Sequence, residues 1–403
     1  MASRDAVDGT NQARKAATRR RGVVTLVGAA GAFAAVAAMA TGSAVTAAPA
    51  KADIDALLDP IIQPLMTSLS DAIAGFDPAA ATDLTSWTDS LLASLDVGSA
   101  LPAAAEPAAA VAASSTSGPY DIPLSLALGT EPTVQATVDG ANNTLLVDTG
   151  SSGLVLPWED LGSNDFSALV NLFQLGMPTG ISESGYSGGV DYIYLTYNNV
   201  PVDYLGGTGL DTSAPIDVEV LSWPTAFGSP LNFEQFLADD HVTGILGIGD
   251  HTGGPTTSPL ESYGGVLVDI PDGKLIVDSA NPGMALATVP GNPIADLFES
   301  VNGGTPVAVS DDVDSGGVYG EIPSSLIGNA ASVPNGTVIA VYDNAAGTGT
   351  PLYTYTVTEA AGNAPTPVSG NAIDSGVEPF LISPIYISYT GDNMVFDKLG
   401  SIS

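Results

Sequence analysis

The sequence predicts an all-β chain of two related lobes behind a short helical segment, and three observations lead there. From Tyr120 onward, short apolar runs alternate with Gly, Pro, Asn and Asp, the pattern of strands joined by tight turns. Two segments repeat one another: LLVDTGSSGLVLP, carrying Asp148-Thr149-Gly150, and DDVDSGGVYGEIP, carrying Asp314-Ser315-Gly316. Each leads apolar or acidic residues into Asp-Thr/Ser-Gly and then into an apolar stretch closed by Pro157 or Pro323. Finally, 403 residues with 45% hydrophobic and 13% charged content can bury a large core in two or three domains.

Residues 1–52 read as an export signal. ARKAATRRR is a basic region, GVVTLVGAAGAFAAVAAMA an apolar one, and Ala50-Lys51-Ala52 a small-x-small cleavage site. Arg20-Arg21 also permits a twin-arginine route. The apolar run is mostly Ala and Gly, so no stable membrane insertion is expected after cleavage, and the mature protein is expected outside the cytoplasm, secreted or at the cell surface.

Residues 53–97 carry helical spacing. Ile61, Leu65, Leu69, Ile73 and Phe76 fall on one stripe, and Leu84, Trp87, Leu91 and Leu95 form a second after Asp83 as N-cap. Pro64 and Pro78 divide the run into short helices. Residues 98–118 are a Pro/Ala/Ser linker.

Residues 119–281 are expected to form the first β lobe and the connection, and 282–403 the second. Thr133–Val138 and Thr144–Val147 read as a hairpin turning at Asp139-Gly140 and ending at Asp148. Residues 186–205 read as a second hairpin with its tip near Ser187-Gly188-Gly189, and Gly244–Gly249 as a short apolar strand. The second half starts near Pro282-Gly283.

Charge and composition exclude several functions. The 44 acids include only Asp5 and Asp8 before residue 53, and only Lys274 and Lys398 follow it, so residues 53–403 carry about −40. Such a surface repels nucleic acid and anionic lipid. The absence of cysteine removes disulfides and thiolate chemistry. His241 and His251, ten residues apart near glycine-rich turns, read as solvated loop histidines rather than metal ligands, and Ser151 and Ser152 lack the turn that exposes a serine nucleophile. No cofactor or metal is expected.

What remains is the repeat. A lone Asp-Thr/Ser-Gly is weak, because Asp and Gly are ordinary turn residues. Two copies, one per lobe, suit a mechanism in which paired carboxylates share a proton and activate water against a peptide bond. Asp148 and Asp314 are the candidates. Gly150 and Gly316 would admit close approach, and Thr149 and Ser315 would brace the opposite lobe. A third such tripeptide, Asp374-Ser375-Gly376, competes with Asp314, but it leaves only 29 residues to complete a lobe against 89 after Asp314.

DTGSSGLVLP, GILGIG and DSGGVYG together resemble pepsin-like aspartic proteases. DSGGVYGEIPSSL followed by PFLISPIYISYT resembles more narrowly the mycobacterial PecA-like (PE-PGRS C-terminal) aspartic proteases, over roughly residues 119–400. The resemblance implies a bilobal pepsin-like fold, a monomer, and protein or peptide substrates among PE-type cell-surface proteins, the chain itself included. It further implies a hydroxyl three residues after each aspartate. Ser151 supplies one, whereas Gly317 does not. It implies a flap tyrosine some forty residues after the first aspartate, for which Tyr186 is the choice over Tyr192. The second lobe lacks an apolar-apolar-Gly counterpart of Ile245-Leu246-Gly247, and Ile373-Asp374-Ser375-Gly376 stands roughly in its place. The alternative reading is a catalytically silent binding protein on the same fold, favoured by Gly317.

Segment 53–118 contains neither Lys nor Arg, so a propeptide lysine cannot block the dyad. An interaction or tethering role, with possible self-removal, is expected for it.

Overall fold

The computed structural model describes residues 118–186, 189–250 and 256–400. The expected export signal, helical segment and all but the last residue of the linker lie outside the described residues, as do Ser187, Gly188 and His251.

The first lobe is built on an eight-stranded sheet. Its opening hairpin joins Glu131–Val138 to Ala141–Asp148, with Thr133 opposite Leu146 and Val138 opposite Ala141. Asp139 and Gly140 take φ of 49° and 82°, the left-handed pair that a two-residue turn between twisted strands requires. After Asp148 the chain turns at once into Ser152–Pro157, and Gly244–Ile248 threads between these strands. It runs parallel to Ala141–Asp148, placing Asp148 opposite Gly247, and antiparallel to Ser152–Pro157. All five residues of Gly244–Ile248 are buried, and a Cβ at Gly247 would lie 2.6 Å from the Ser152 carbonyl carbon. Only glycine permits that approach.

The long strands Val190–Tyr204 and Asp211–Pro224 complete this sheet, with Gly180–Gly185 at its edge. In the second hairpin, Gly185 pairs with Asp191 and Gly189 N donates to Tyr186 O at 3.0 Å, and of the expected tip residues only Gly189 lies among the described residues. Its first arm, however, is Gly180–Gly185, upstream of the expected span.

The second lobe repeats the plan in a five-stranded sheet. Ile294–Val301 pairs with Val307–Asp312, and Ala372–Asp374 joins in parallel with Asp312 opposite Asp374. In the first lobe, Leu146 stands two residues before Asp148 and lies opposite Ile245. Asp312 stands two before Asp314, so Asp374-Ser375-Gly376 occupies the structural place of Ile245-Leu246-Gly247. The two lobes share this parallel pairing, although Ala372–Asp374 is bonded only to Val307–Asp312 and ends its sheet, and they differ in its chemistry, apolar in one and acidic in the other.

A third, six-stranded sheet draws Tyr120–Pro123, Lys274–Val277, Gly265–Asp269, Ile385–Ser388, Asn393–Asp397 and Ala285–Pro290 from the start, middle and end of the described residues. Tyr389 Oη, just past Ile385–Ser388, donates to the Ile248 carbonyl at 2.9 Å and ties this sheet to the strand beneath the first aspartate. Short helices α1 (Asp165–Gln174), α2 (Phe233–Ala238) and α3 (Glu378–Ile382) interrupt the β structure. Asn164 and Asn232 cap the first two, accepting from Ser167 N at 3.0 Å and Gln235 N at 2.8 Å. Among the described residues, no helix is long and apolar enough to cross a membrane.

Candidate active site

Asp148 ends a fully buried strand segment, and Asp314 follows Val307–Asp312 by two residues. Both side chains are wholly buried. The turns after them face each other. A Cβ at Gly150 would lie 2.5 Å from Asp314 Cγ, and a Cβ at Gly316 would lie 2.6 Å from Asp148 Oδ1. Each glycine therefore makes room for the carboxyl group of the opposite lobe.

Backbone amides hold the inner oxygens. Gly150 N donates to Asp148 Oδ1 at 2.8 Å and also to Asp314 Oδ1 at 3.1 Å. Gly316 N donates to Asp314 Oδ1 at 2.8 Å. One N–H thus serves carboxyl groups from both lobes, which puts them side by side.

Beneath them lies a reciprocal clasp. Ser315 N donates to Thr149 Oγ1 at 2.8 Å, and Thr149 N donates to Ser315 Oγ at 3.1 Å. Each hydroxyl also reaches a carbonyl across the boundary, Thr149 Oγ1 to Val313 O at 2.6 Å and Ser315 Oγ to Val147 O at 2.8 Å. Four buried bonds fix the two turns to one another, and each of the two hydroxyls both donates and accepts.

The outer oxygens are treated differently. Ser151 Oγ donates to Asp148 Oδ2 at 2.6 Å, while Asp314 Oδ2 is buried with no hydrogen-bond partner among the described residues. Gly317 occupies the position equivalent to Ser151. A Cβ there would lie 2.9 Å from Gly376 Cα, so the second lobe has no room for a side chain.

Electrostatics follow from this burial. The Asp314 carboxyl is held well above the usual range, first by loss of solvent and then by Asp148, Asp374 and Asp312. Asp312 is pushed up to about 8 by burial, then by Asp374 and Asp148. Asp311 is also raised well above the usual range, and burial lifts Glu299, on the neighbouring strand, to about 8. These acids behind Asp314 were not singled out in the sequence. Their signal was present in Asp311-Asp312, two acids directly before Val313-Asp314, where the first lobe has Leu145-Leu146 before Val147-Asp148.

Tyr186 sits at the hairpin tip, its N–H donating to Val190 O at 2.9 Å. Its ring is buried, stacked on Tyr192, Phe233 and Phe236 at centroid distances of 5.9, 5.8 and 5.4 Å. The same apolar cluster takes in Leu146 and Ile245, so it reaches from the hairpin tip to the strand that carries Asp148. Tyr192 is buried there too, while His241 lies elsewhere, with φ of 61° in the turn after α2. Asp374 lies behind Asp314, and it is Asp314 that faces Asp148.

Paired aspartates on facing Asp-Thr/Ser-Gly turns, in two lobes that repeat one topology, define the aspartic-peptidase-like class. The model of the PE-PGRS C-terminal aspartyl peptidase-like domain matches residues 120–395, and the chain belongs to that family. It is 37% identical over 300 residues to PE cleavage protein A of Mycobacterium tuberculosis (strain H37Rv), an alignment covering 68% of this chain and 51% of that protein. PE cleavage protein A of Mycobacterium marinum is 38% identical over 290 residues, covering 67% of this chain and 50% of the relative. The chain thus spans about half the length of these curated relatives. It is also similar to the crystal structure of an aspartic proteinase from Irpex lacteus, with a TM-score of 0.48, 13% identity, and coverage of 71% of this chain and 99% of that one.

Proposed function

We propose that the chain is an aspartic endopeptidase with Asp148 and Asp314 as its catalytic pair. The observation that carries this reading is the Gly150 amide, which lies within hydrogen-bond distance of both carboxyl groups, at 2.8 and 3.1 Å. Carboxyl groups so close and so buried do not both ionise, and the pair holds one proton across the acid range. The charged member takes a proton from water as its oxygen attacks the scissile carbonyl. The neutral member hydrogen-bonds the carbonyl oxygen as negative charge develops there. Collapse of the tetrahedral intermediate breaks the C–N bond, and the leaving amine takes up a proton from the pair. The proton is shared and belongs to the pair as a unit.

Thr149, Gly150, Ser315 and Gly316 support this pair by clasp and close approach, and Ser151 steadies Asp148. Tyr186 is the flap residue of this reading, standing at the tip of a hairpin as the position requires. Substrates are proteins exposed at the cell surface, of the kind that gives the relatives their name, with this chain included. The basic and apolar leader supports an exported protein, and the heavy negative charge supports work away from nucleic acid and anionic membranes. The enzyme acts as a monomer.

A second reading, a silent binding protein, is favoured by the glycine at 317 and the unpartnered Asp314 Oδ2. One experiment separates the two. The purified chain is incubated with a mixed protein substrate at pH 4–7 beside Asp148→Asn and Asp314→Asn. Cleavage by the parent that is lost in both folded variants supports the enzyme, and a parent that binds but does not cleave supports the silent fold.

A further inference from the structure

We propose that Asp374 is a positioning residue of this site: its carboxyl group, in the acid form, gives Asp314 the hydrogen bond that Ser151 gives Asp148. The inference rests on reading Asp148 and Asp314 as the reacting pair.

The two aspartates are matched on their inner sides and unmatched on their outer ones. Asp148 Oδ2 accepts from Ser151 Oγ at 2.6 Å, and Asp314 Oδ2 is buried without such a donor. Leaving a buried carboxylate oxygen without a donor is costly. At position 317, where a hydroxyl would be needed, backbone of the threaded segment comes too close for any side chain. That same segment brings in a carboxyl group. The point where a Cβ of residue 317 would stand is 3.0 Å from Asp374 Oδ1 and 3.3 Å from Asp314 Oδ2. The two oxygens therefore flank the place that a hydroxyl side chain fills in the other lobe.

Asp374 is held for this task. The parallel register sets Asp374 opposite Asp312, Ser375 N donates to Asp312 O at 2.9 Å, and Gly376 N donates to Asp374 Oδ1 at 2.7 Å. The groups facing it are acidic. Asp312 and Asp314 lie beside it and Asp148 beyond them, while Asp311, Glu299 and Tyr353 complete the cluster, with Tyr353 Oη 3.5 Å from Asp311 Oδ2. No arginine follows residue 21, and Lys274 is paired with Asp121 at 3.4 Å. Among the described residues, no three such side chains are arranged to hold a metal ion. Protons are what relieve this crowding, and a protonated carboxyl group is a hydrogen-bond donor.

The arrangement has a consequence that a hydroxyl would not. The donor to Asp148 is a serine, whereas the donor to Asp314 can itself titrate, so the two sides of the pair respond differently to pH.

The test measures kcat and KM from pH 3 to 8 for the full chain and for Asp374→Asn and Asp374→Ala, with circular dichroism for folding. Asp374→Leu, close to Asn in shape and without a donor, serves where Ala does not fold. Asn keeps a donor, so kcat stays within about threefold of the parent and the acid limb of the profile stays in place. Ala or Leu removes the donor, so kcat falls about tenfold or more with KM little changed, and the acid limb moves to higher pH as the pair's anion loses support. A donor-free variant with the parent's kcat and acid limb overturns the proposal. So does an Asn variant that falls as far as Ala, which marks a purely structural role. If the parent cleaves nothing, the enzymatic reading fails separately. Carbon-13 titration of the aspartate carboxyl groups then decides the contact: the first ionisation of the Asp148–Asp314 pair must rise in Asp374→Ala and not in Asp374→Asn, and an unmoved ionisation in both overturns it.

Discussion

Thr149 and Ser315 hold each other across the lobe boundary, each backbone N–H donating to the other's hydroxyl at 3.1 and 2.8 Å. Because every bond in this clasp is buried, deleting one hydroxyl leaves a donor or acceptor stranded. Thr149→Val or Ser315→Ala is expected to cost about 1–3 kcal/mol. The double variant should cost less than the sum, since both remove the same network. Urea unfolding of the four forms measures this, and strict additivity would show that the clasp does not act as a unit.

Replacing either member of the central pair should stop catalysis without unfolding the chain. Asp148→Asn and Asp314→Asn are each expected to lower kcat by about a thousandfold or more, with little change in KM for a peptide substrate. Single-turnover cleavage at pH 5 reads the effect. Loss in Asp148→Asn alone would transfer the second role away from Asp314.

Close approach should matter as much as charge. A methyl group at Gly316 would lie 2.6 Å from Asp148 Oδ1, so Gly316→Ala must push the carboxyl groups apart. We expect kcat to fall about a hundredfold, because small displacements of reacting groups are expensive. Retention of full activity would mean that the two turns tolerate a wider spacing.

The buried acids of the second lobe should make stability depend on pH in a stated direction. Glu299 and Asp312 have folded-state values of about 8, above the ordinary 4.5 and 3.8 of exposed carboxyl groups. A raised acid binds its proton more tightly when folded, so folding is favoured at low pH and loses stability as pH climbs from about 4 to about 8. The melting temperature should therefore drop across that window, and Glu299→Gln should flatten the drop. Calorimetry at pH 4.5, 6 and 8 checks both, and a melting temperature that rises with pH would refute the claim.

Tyr186 offers a separation of packing from chemistry. Its ring stacks on three aromatic neighbours, so Tyr186→Ala should destabilise the hairpin by about 3–5 kcal/mol, whereas Tyr186→Phe should leave stability within about 1 kcal/mol. A fall in kcat/KM for the Phe variant would then report on the hydroxyl at the flap. Unchanged kinetics would assign the residue to packing alone.

Much of this was legible in the sequence for local reasons. Asp139-Gly140 between two alternating runs specifies a hairpin, because the turn needs left-handed φ at both residues. The paired tripeptides around Asp148 and Asp314 mark facing turns, because glycine is the residue that admits a carboxyl group against the backbone. Helix α1 was missed. Its residues lie in a region dominated by strand signals, although Asn164 and Ser167 together are a capping box that could have announced it. Tyr186 and Tyr192 both stand some forty residues after Asp148 and the neighbouring glycines favour Tyr186, but nothing local reveals that Phe233 and Phe236, some fifty residues onward, stack on it.

The sequence by itself determined the class: two repeated lobes of short strands, a pair of aspartates on glycine turns, and an acid-rich chain without cysteine. Only the tertiary structure decided how the two lobes differ. The sequence placed Ile373–Gly376 only roughly; that Asp374 would lie opposite Asp312, with Gly376 excluding a side chain at Gly317, depends on register between strands some sixty residues apart. Local propensity cannot set such a register. It is fixed by which side chains the assembled sheet can bury together, and here it buries acids against acids.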